Sequence, residues 1–306
     1  MNWEETLKNK LGEIILLDAP MKDYTTYKIG GAAQVLALPK NEEQIIFLKA
    51  FALEYNIPFR ILGLGSNILV SEKGLPGITC CLKDFKGITV EGKELTAFSG
   101  TALDDAIEKS IENALGGIEC LSGIPGSCGG AVYMNAGAFN QETFDSLKCF
   151  KVLDAQGNIK VLSKTDVEYG YRKVKNIEGC IILSVTWALQ EADKQQLQET
   201  RLSILKRRGE KQPLEYPSAG SVFKRPANDY ASRLIDICGL RGLSVGGAKV
   251  SEKHAGFIIN YNKATAEDVY NLTNEVRRKV YQQTSVELQA EQILWGEFEE
   301  APKLSN

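Results

Sequence analysis

The chain has 306 residues, 43% of them apolar and 25% charged, with a net charge of -3, which is the composition of a globular protein of two or three domains. Its apolar runs fall well short of a membrane span, and its charge rules out bulk steering of nucleic acid or anionic lipid. Seven cysteines without a C-x-x-C pair argue against a disulfide framework or a thiolate zinc site, and the single histidine, His254, rules out a His-rich centre, so no metal is expected. Most of the cysteines read as small buried hydrophobes. A Ser-His-Asp triad would have to use His254, but no G-x-S-x-G elbow exists, and a histidine entering the strand-like run GFIIN is read as bonding to backbone. The start, MNWEETLKNK, lacks an apolar h-region, so a cytoplasmic protein is expected.

After an N-terminal segment, 1–21, NEEQIIFLKAFALEYNI at 41–57 carries a helix signature: Asn41 as cap, Gln44 three residues on, and apolar residues at helical spacing before Pro58. FRILGLGSNILV is then a strand, a glycine turn and a second strand, with GITCCL following as a third. TALDDAIEKSIENAL repeats the helix signature, with Thr101 as cap and Asp104 at the capping-box position. The segment from Gly116 to Gly137 is too rich in glycine for a helix or strand interior, where each glycine costs roughly 0.5–1 kcal/mol relative to alanine. LKCFKVL and IKVLS read as a hairpin and IILSVTWAL as a strand, which makes 22–190 an α+β domain. From 191 a polar helix ends in Lys206, Arg207 and Arg208, cations of the kind that complement a helix dipole. Helices at NDYASRLIDICGL and at TAEDVYNLTNEVRRKVYQQT, the latter capped by Thr265 and Asp268, join the strand-like FIIN and VELQAEQILWG in a smaller α/β domain, 191–306.

GLGSN at 63–67 is not a dinucleotide fingerprint, because Ile68 stands where the third glycine belongs and no helix follows. The loop is either a nest whose amides wrap an anion or a plain strand connection. SGIPGSCGGAVYMNAG adds Gly123, Gly126, Gly129, Gly130 and Gly137, whose bare backbone suits close approach to a pyrophosphate and a flat ring. Neither loop carries the G-K-[ST] of a P-loop.

In order, ILGLGSNILV, GIPGSCGGAVYMNAGAF, YGYR, YPSAGSVFKRP, HAGFIIN and VELQAEQILWG resemble the UDP-N-acetylenolpyruvoylglucosamine reductases, flavoenzymes of peptidoglycan synthesis, from about Tyr27 to Gly296. The resemblance implies an FAD domain of the vanillyl-alcohol-oxidase (PCMH) type followed by a substrate domain. FAD would be held noncovalently along Gly63, Leu64, Gly65, Ser66 and Asn67, and along Ser122, Gly123, Ile124, Pro125, Gly126, Ser127, Gly129 and Gly130, with Asn135, Ala136 and Gly137 beside them. NADPH is the implied hydride donor and a nucleotide-sugar the implied partner, with neither nucleic acid nor membrane and with a monomer expected.

Hydride addition to an enolpyruvyl double bond builds negative charge toward its carboxylate and leaves the α-carbon to be protonated. The resemblance gives Arg172 and Glu291 the first task and Ser221 the second, with Tyr171, Lys224 and Arg225 as substrate contacts. Glu291 donates to a carboxylate only when protonated, a form that burial favours. Without the resemblance, Arg172 reads as a surface arginine, Glu291 as half of a strand ion pair and Ser221 as a turn former. Ala290 and Gly256 depart from the proline and asparagine of many relatives. The short link KVKNIEGC matches the class lacking the extra loop that folds a tyrosine over the substrate. Cys128 is the one candidate tether in the second loop. The competing readings are a flavin oxidoreductase acting on an alcohol or sugar, and a nucleotide-sugar binding module without redox chemistry.

Overall fold

The computed structural model describes residues 3–299, and the chain divides into two compact units. One comprises the chain up to Leu17, Val35–Leu64 and Gly77–Arg207, and the other Asp18–Gln34, Gly65–Pro76 and the chain from Arg208 onward. This interleaving differs from the contiguous domains, 22–190 and 191–306, expected from composition. Tyr27, Ile29 and Leu69 are buried in the core that also holds Val276 and Leu288, and a shift in local polarity cannot report so distant a partner. The helix Lys194–Lys211 stays with the first unit through Arg207.

The first unit is built on a five-stranded antiparallel sheet in the order Ile159–Ser163, Leu147–Leu153, Ile181–Ala188, Glu94–Phe98, Ile88–Glu91. The expected hairpin is its edge. Strand Ile181–Ala188 serves two cores: Ile182, Val185 and Trp187 enter one with Phe144 and Phe150, while Ile181 and Leu183 enter the other with Leu48 and Ile78. Successive side chains of a strand point to opposite faces, so burial on both sides explains its nearly unbroken apolar sequence. A second sheet, in the order Ile15–Pro20, Ala32–Ala37, Leu75–Cys81, Phe59–Leu62, contributes Val35 and Ile78 to that second core. Helix Glu42–Glu54 begins as read, with Asn41 Oδ1 accepting from Gln44 N at 3.0 Å.

Two expectations fail in this unit. Helix Leu103–Glu112 starts two residues after Thr101, with Ala102 at the cap and no side-chain cap bond. The Thr101 hydroxyl instead accepts from Gly87 N at 3.0 Å and donates to Gly87 O at 3.1 Å, so a tertiary partner has displaced the local one. The glycine-rich segment does contain a helix, Cys128–Tyr133, capped by Ser127 Oγ accepting from Gly130 N at 3.2 Å. Its glycine cost is outweighed by fit: a Cβ on Gly129 would lie 2.6 Å from Ser99 Cβ.

The second unit holds a four-stranded antiparallel sheet in the order Ser218–Ser221, Phe257–Asn260, Ala248–Val250, Ser244–Val245. Helix Ala266–Thr284 begins at the expected Thr265–Asp268 capping box. Its Val269, Leu272, Val276 and Val280 are fully buried, each burial contributing roughly 1.5–3 kcal/mol. VELQAEQILWG forms a regular strand only over Ile293–Trp295, parallel to Ile68–Val70. The segment before it makes a single bridge, Phe223 to Ala290. Among the described residues all seven cysteines are free; Cys80, Cys81 and Cys128 are buried and the rest half-buried. No described helix is long and apolar enough to cross a membrane, and no described cluster of His, Cys, Asp and Glu could hold a metal ion.

Candidate active site

In the first unit, the turn after strand Phe59–Leu62 brings Gly63 against the second glycine loop, where a Cβ would meet Ser127 Oγ at 2.5 Å. In the second unit, Gly65 has φ +66 and its Cβ would lie 2.1 Å from Tyr24 O. Gly65 O in turn accepts from Thr26 N at 3.1 Å. Among the described residues the amides of Gly65 and Ser66 donate to no protein acceptor.

The second loop, Ser122 to Ser127, is held from below. Asp104 Oδ1 accepts from Gly123 N at 3.0 Å, while Ser122 Oγ donates to Glu119 O at 2.6 Å. Gly123 and Gly126, at φ +71 and +149, take backbone conformations that side-chain-bearing residues rarely adopt. Not all of its glycine donors are left for a ligand, however. Gly123 N goes to Asp104, Gly129 N to Ser99 O at 3.0 Å and Gly130 N to Ser127 Oγ. Those of Gly126 and Ser127 donate to no protein acceptor among the described residues. Within each unit, backbone amides without a described protein acceptor suit an anion held by backbone rather than by side-chain charge.

Asn135 is not a side-chain ligand of this kind. It is fully buried, and its Nδ2 donates to Glu142 Oε2 at 2.7 Å and Gly170 O at 3.1 Å. Its Oδ1 accepts from Phe144 N at 3.2 Å. Ala136 also turns inward, its carbonyl accepting from Thr143 N and Thr143 Oγ1, each at 2.8 Å. Arg172 lies in the two-residue turn joining strands Glu168–Gly170 and Lys173–Lys175, with φ +54. Its Nη1 and Nη2 donate to Asn135 O at 3.3 Å and Gly137 O at 2.8 Å. The ring of half-exposed Tyr171 lies 5.1 Å from the guanidinium carbon.

Ser221 and Glu291 lie together in the second unit. The segment after Ser221 runs between two others: Val222 N donates to Gly256 O at 2.9 Å, and Val222 O accepts from Glu291 N at 2.8 Å. Lys224 N reaches Gln289 O at 2.9 Å, so Lys224 continues along the same edge. The Arg225 guanidinium sits 4.5 Å from the ring centre of Tyr230. Gly220 has φ +71 with open space around its Cβ position, so it is needed for the turn and not for clearance; Ser221 itself is exposed. Asn67 joins the first loop to this edge, its Nδ2 donating to Glu291 O at 3.1 Å.

Sequence reasoning missed the groups beneath this edge. Gln292, also buried, donates to Tyr27 Oη at 2.9 Å and Ala219 O at 3.4 Å, and nothing local marks either residue. His254 accepts from Gly256 N through Nδ1 at 3.1 Å, as its reading required. Burial, and then the Arg241 charge, hold its pKa below the ordinary value. A Cβ at 256 would lie 3.0 Å from that ring, so a side chain there requires the imidazole to shift.

An FAD-binding domain model matches residues 33–163, and the model for the C-terminal domain of UDP-N-acetylenolpyruvoylglucosamine reductase matches 212–295. The UDP-N-acetylenolpyruvoylglucosamine reductase of Clostridium perfringens is 43% identical over 285 residues, covering 93% of this chain and 94% of that protein. The chain belongs to the UDP-N-acetylenolpyruvoylglucosamine reductase family. It is an FAD-dependent oxidoreductase. Another relative in this family, from Caldanaerobacter subterraneus subsp. tengcongensis, is 42% identical over 96% of this chain and 99% of its own. The solved family structure from Thermus caldophilus superposes with a TM-score of 0.79 at 33% identity, covering 92% of this chain and 98% of that one. A glucose dehydrogenase, Phl p 4.0202, shares the fold of 63% of the chain at a TM-score of 0.50 and 11% identity, covering 45% of its own length.

Proposed function

We infer that the protein reduces UDP-N-acetylglucosamine enolpyruvate to UDP-N-acetylmuramate with NADPH, a step in peptidoglycan precursor synthesis. The observation that carries this is the near full-length identity to the family, spanning both the FAD-binding segment and the C-terminal domain. FAD, when bound, supplies hydride transfer from NADPH to the enolpyruvyl β-carbon. The chain's own residues would hold the anion and deliver the proton. Arg172, with its guanidinium plane held by two backbone carbonyls, suits a carboxylate partner as negative charge spreads into it. Glu291 would help to stabilise the developing negative charge.

Ser221 would protonate the α-carbon. A hydroxyl is a weak acid, but an enolate carbon is basic enough to take its proton when water is excluded. Support for pairing Ser221 with Glu291 comes from the backbone bond between Val222 and Glu291, which sets them on adjoining segments. Lys224, Arg225 and Tyr171 would contact the nucleotide-sugar. A cytoplasmic monomer fits this reading, and elution at the mass of one chain in size-exclusion with light scattering tests the oligomeric part.

The test of the reaction is anaerobic. FAD-loaded protein reduced by NADPH reoxidises its flavin on addition of UDP-N-acetylglucosamine enolpyruvate, and a flavin that stays reduced refutes the assignment. Ser221→Ala leaves reduction by NADPH within about twofold and slows the second half-reaction by roughly 10²–10⁴-fold, the usual contribution of a positioned acid. Equal slowing of both halves would remove Ser221 from the proton-donor role.

A further inference from the structure

We propose that Glu142 and Asn135 are positioning residues for Arg172, acting as a relay that sets the direction of its guanidinium. The kinetic consequence rests on the role given to Arg172 above; the positioning itself rests on geometry. A guanidinium has five N–H donors in one plane, so fixing two of them fixes the direction of the others. Here the two carbonyls that fix it belong to Asn135 and Gly137.

Both sides of that contact sit in left-handed backbone, Asn135 at φ +41 and Arg172 at φ +54. Asparagine adopts such backbone readily, but arginine holds it only where its surroundings fix it. The Asn135 carboxamide does this. One Nδ2 hydrogen goes to Gly170 O, at the start of the turn carrying Arg172, and the other to the Glu142 carboxylate. Phe144 N occupies the oxygen.

The arrangement has one sense only. A flipped amide would press its oxygen against the Glu142 carboxylate and the Gly170 carbonyl, and leave Phe144 N facing an NH₂ group. The Glu142 oxygen is thus one of three partners that fix this orientation, with Gly170 O and Phe144 N. Glu142 is itself held, its amide donating to Asp145 Oδ2 at 2.8 Å. Glu142 pairs with Gly137 in a short hairpin and accepts from Asn135 Nδ2, so it is tied to both anchors of Arg172. Neither the spacing of Glu142 from Arg172 nor any motif marks this connection.

The test uses holoenzyme and two readouts. Glu142→Ala slows flavin reoxidation by the enolpyruvyl substrate on the order of 10- to 100-fold, as expected for a misdirected clamp, while NADPH reduces the flavin at close to the normal rate. Glu142→Gln, which keeps an acceptor oxygen for Nδ2, restores most of the loss. In an Arg172→Ala background Glu142→Ala costs nothing further, because both act through one group. Independently, the Arg172 Nε–H resonance of ¹⁵N-labelled protein, assigned by its loss in Arg172→Lys, shifts or broadens in Glu142→Ala and holds in Glu142→Gln. An unmoved resonance, or losses that add in the double variant, overturns the proposal. If Arg172→Ala reoxidises at the normal rate, the role of Arg172 falls instead, and the resonance still decides whether Glu142 positions it.

Discussion

Gly65 and Gly220 both have positive φ, but the structure separates their tasks. At Gly220 nothing lies within 4 Å of a Cβ, whereas at Gly65 that atom would sit 2.1 Å from the Tyr24 carbonyl oxygen. Gly220→Ala therefore costs only the left-handed backbone penalty, roughly 1–2 kcal/mol, and leaves flavin affinity unchanged. Gly65→Ala must displace the loop and weakens flavin binding by more than tenfold in a fluorescence titration. Equal flavin affinity in the two variants would contradict the assignment of this loop to the cofactor. Asn135 carries the complementary lesson. The resemblance places it beside the cofactor, and only its burial and three protein partners reveal that the side chain is committed to the scaffold.

Helix starts show when local chemistry decides. Thr265 and Asp268 make both bonds of the capping box, and they do so although Gly247 N also donates to Asp268 Oδ2 at 3.0 Å. Thr265→Ala should destabilise the second unit by about 1 kcal/mol, measured as a loss in urea unfolding followed by circular dichroism; a loss below a few tenths would mean that packing alone holds this helix end. Thr101 and Asp104 have nearly the same pattern and behave otherwise. Thr101 bonds to Gly87, while Asp104 holds Gly123 N and pairs with Arg201. The Asp104 carboxylate thus stabilises a glycine loop rather than a helix terminus, and the Arg201 charge, 9% exposed, is placed beside it.

At the scale of the whole molecule, two units made from interleaved segments replace the contiguous domains suggested by composition. The expectation of noncovalent flavin is supported by where Cys128 lies. Cys128 is fully buried in the first unit, and burial, with the Asp105 charge adding to it, pushes its thiol pKa far up, so the thiolate needed for a tether is suppressed. Acid precipitation of the holoenzyme should release all of its flavin to the supernatant; flavin retained on the precipitated chain would overturn noncovalent attachment.

What could be read without coordinates was local or ordered along the chain. The strand at 181–188 follows from its apolar run and the helix at 266–284 from its capping box and helical periodicity, because each depends on neighbours a few residues away. The family and its chemistry were legible in six motif blocks in order. The folded chain decided the rest, since the deciding partners are far apart in sequence: Asp104 and Arg201 by 97 residues, Asn67 and Glu291 by 224, Tyr27 and Gln292 by 265. A buried polar group must find a partner wherever the fold supplies one. That requirement turned an expected capping residue into the support of a loop and an expected cofactor ligand into the support of an arginine.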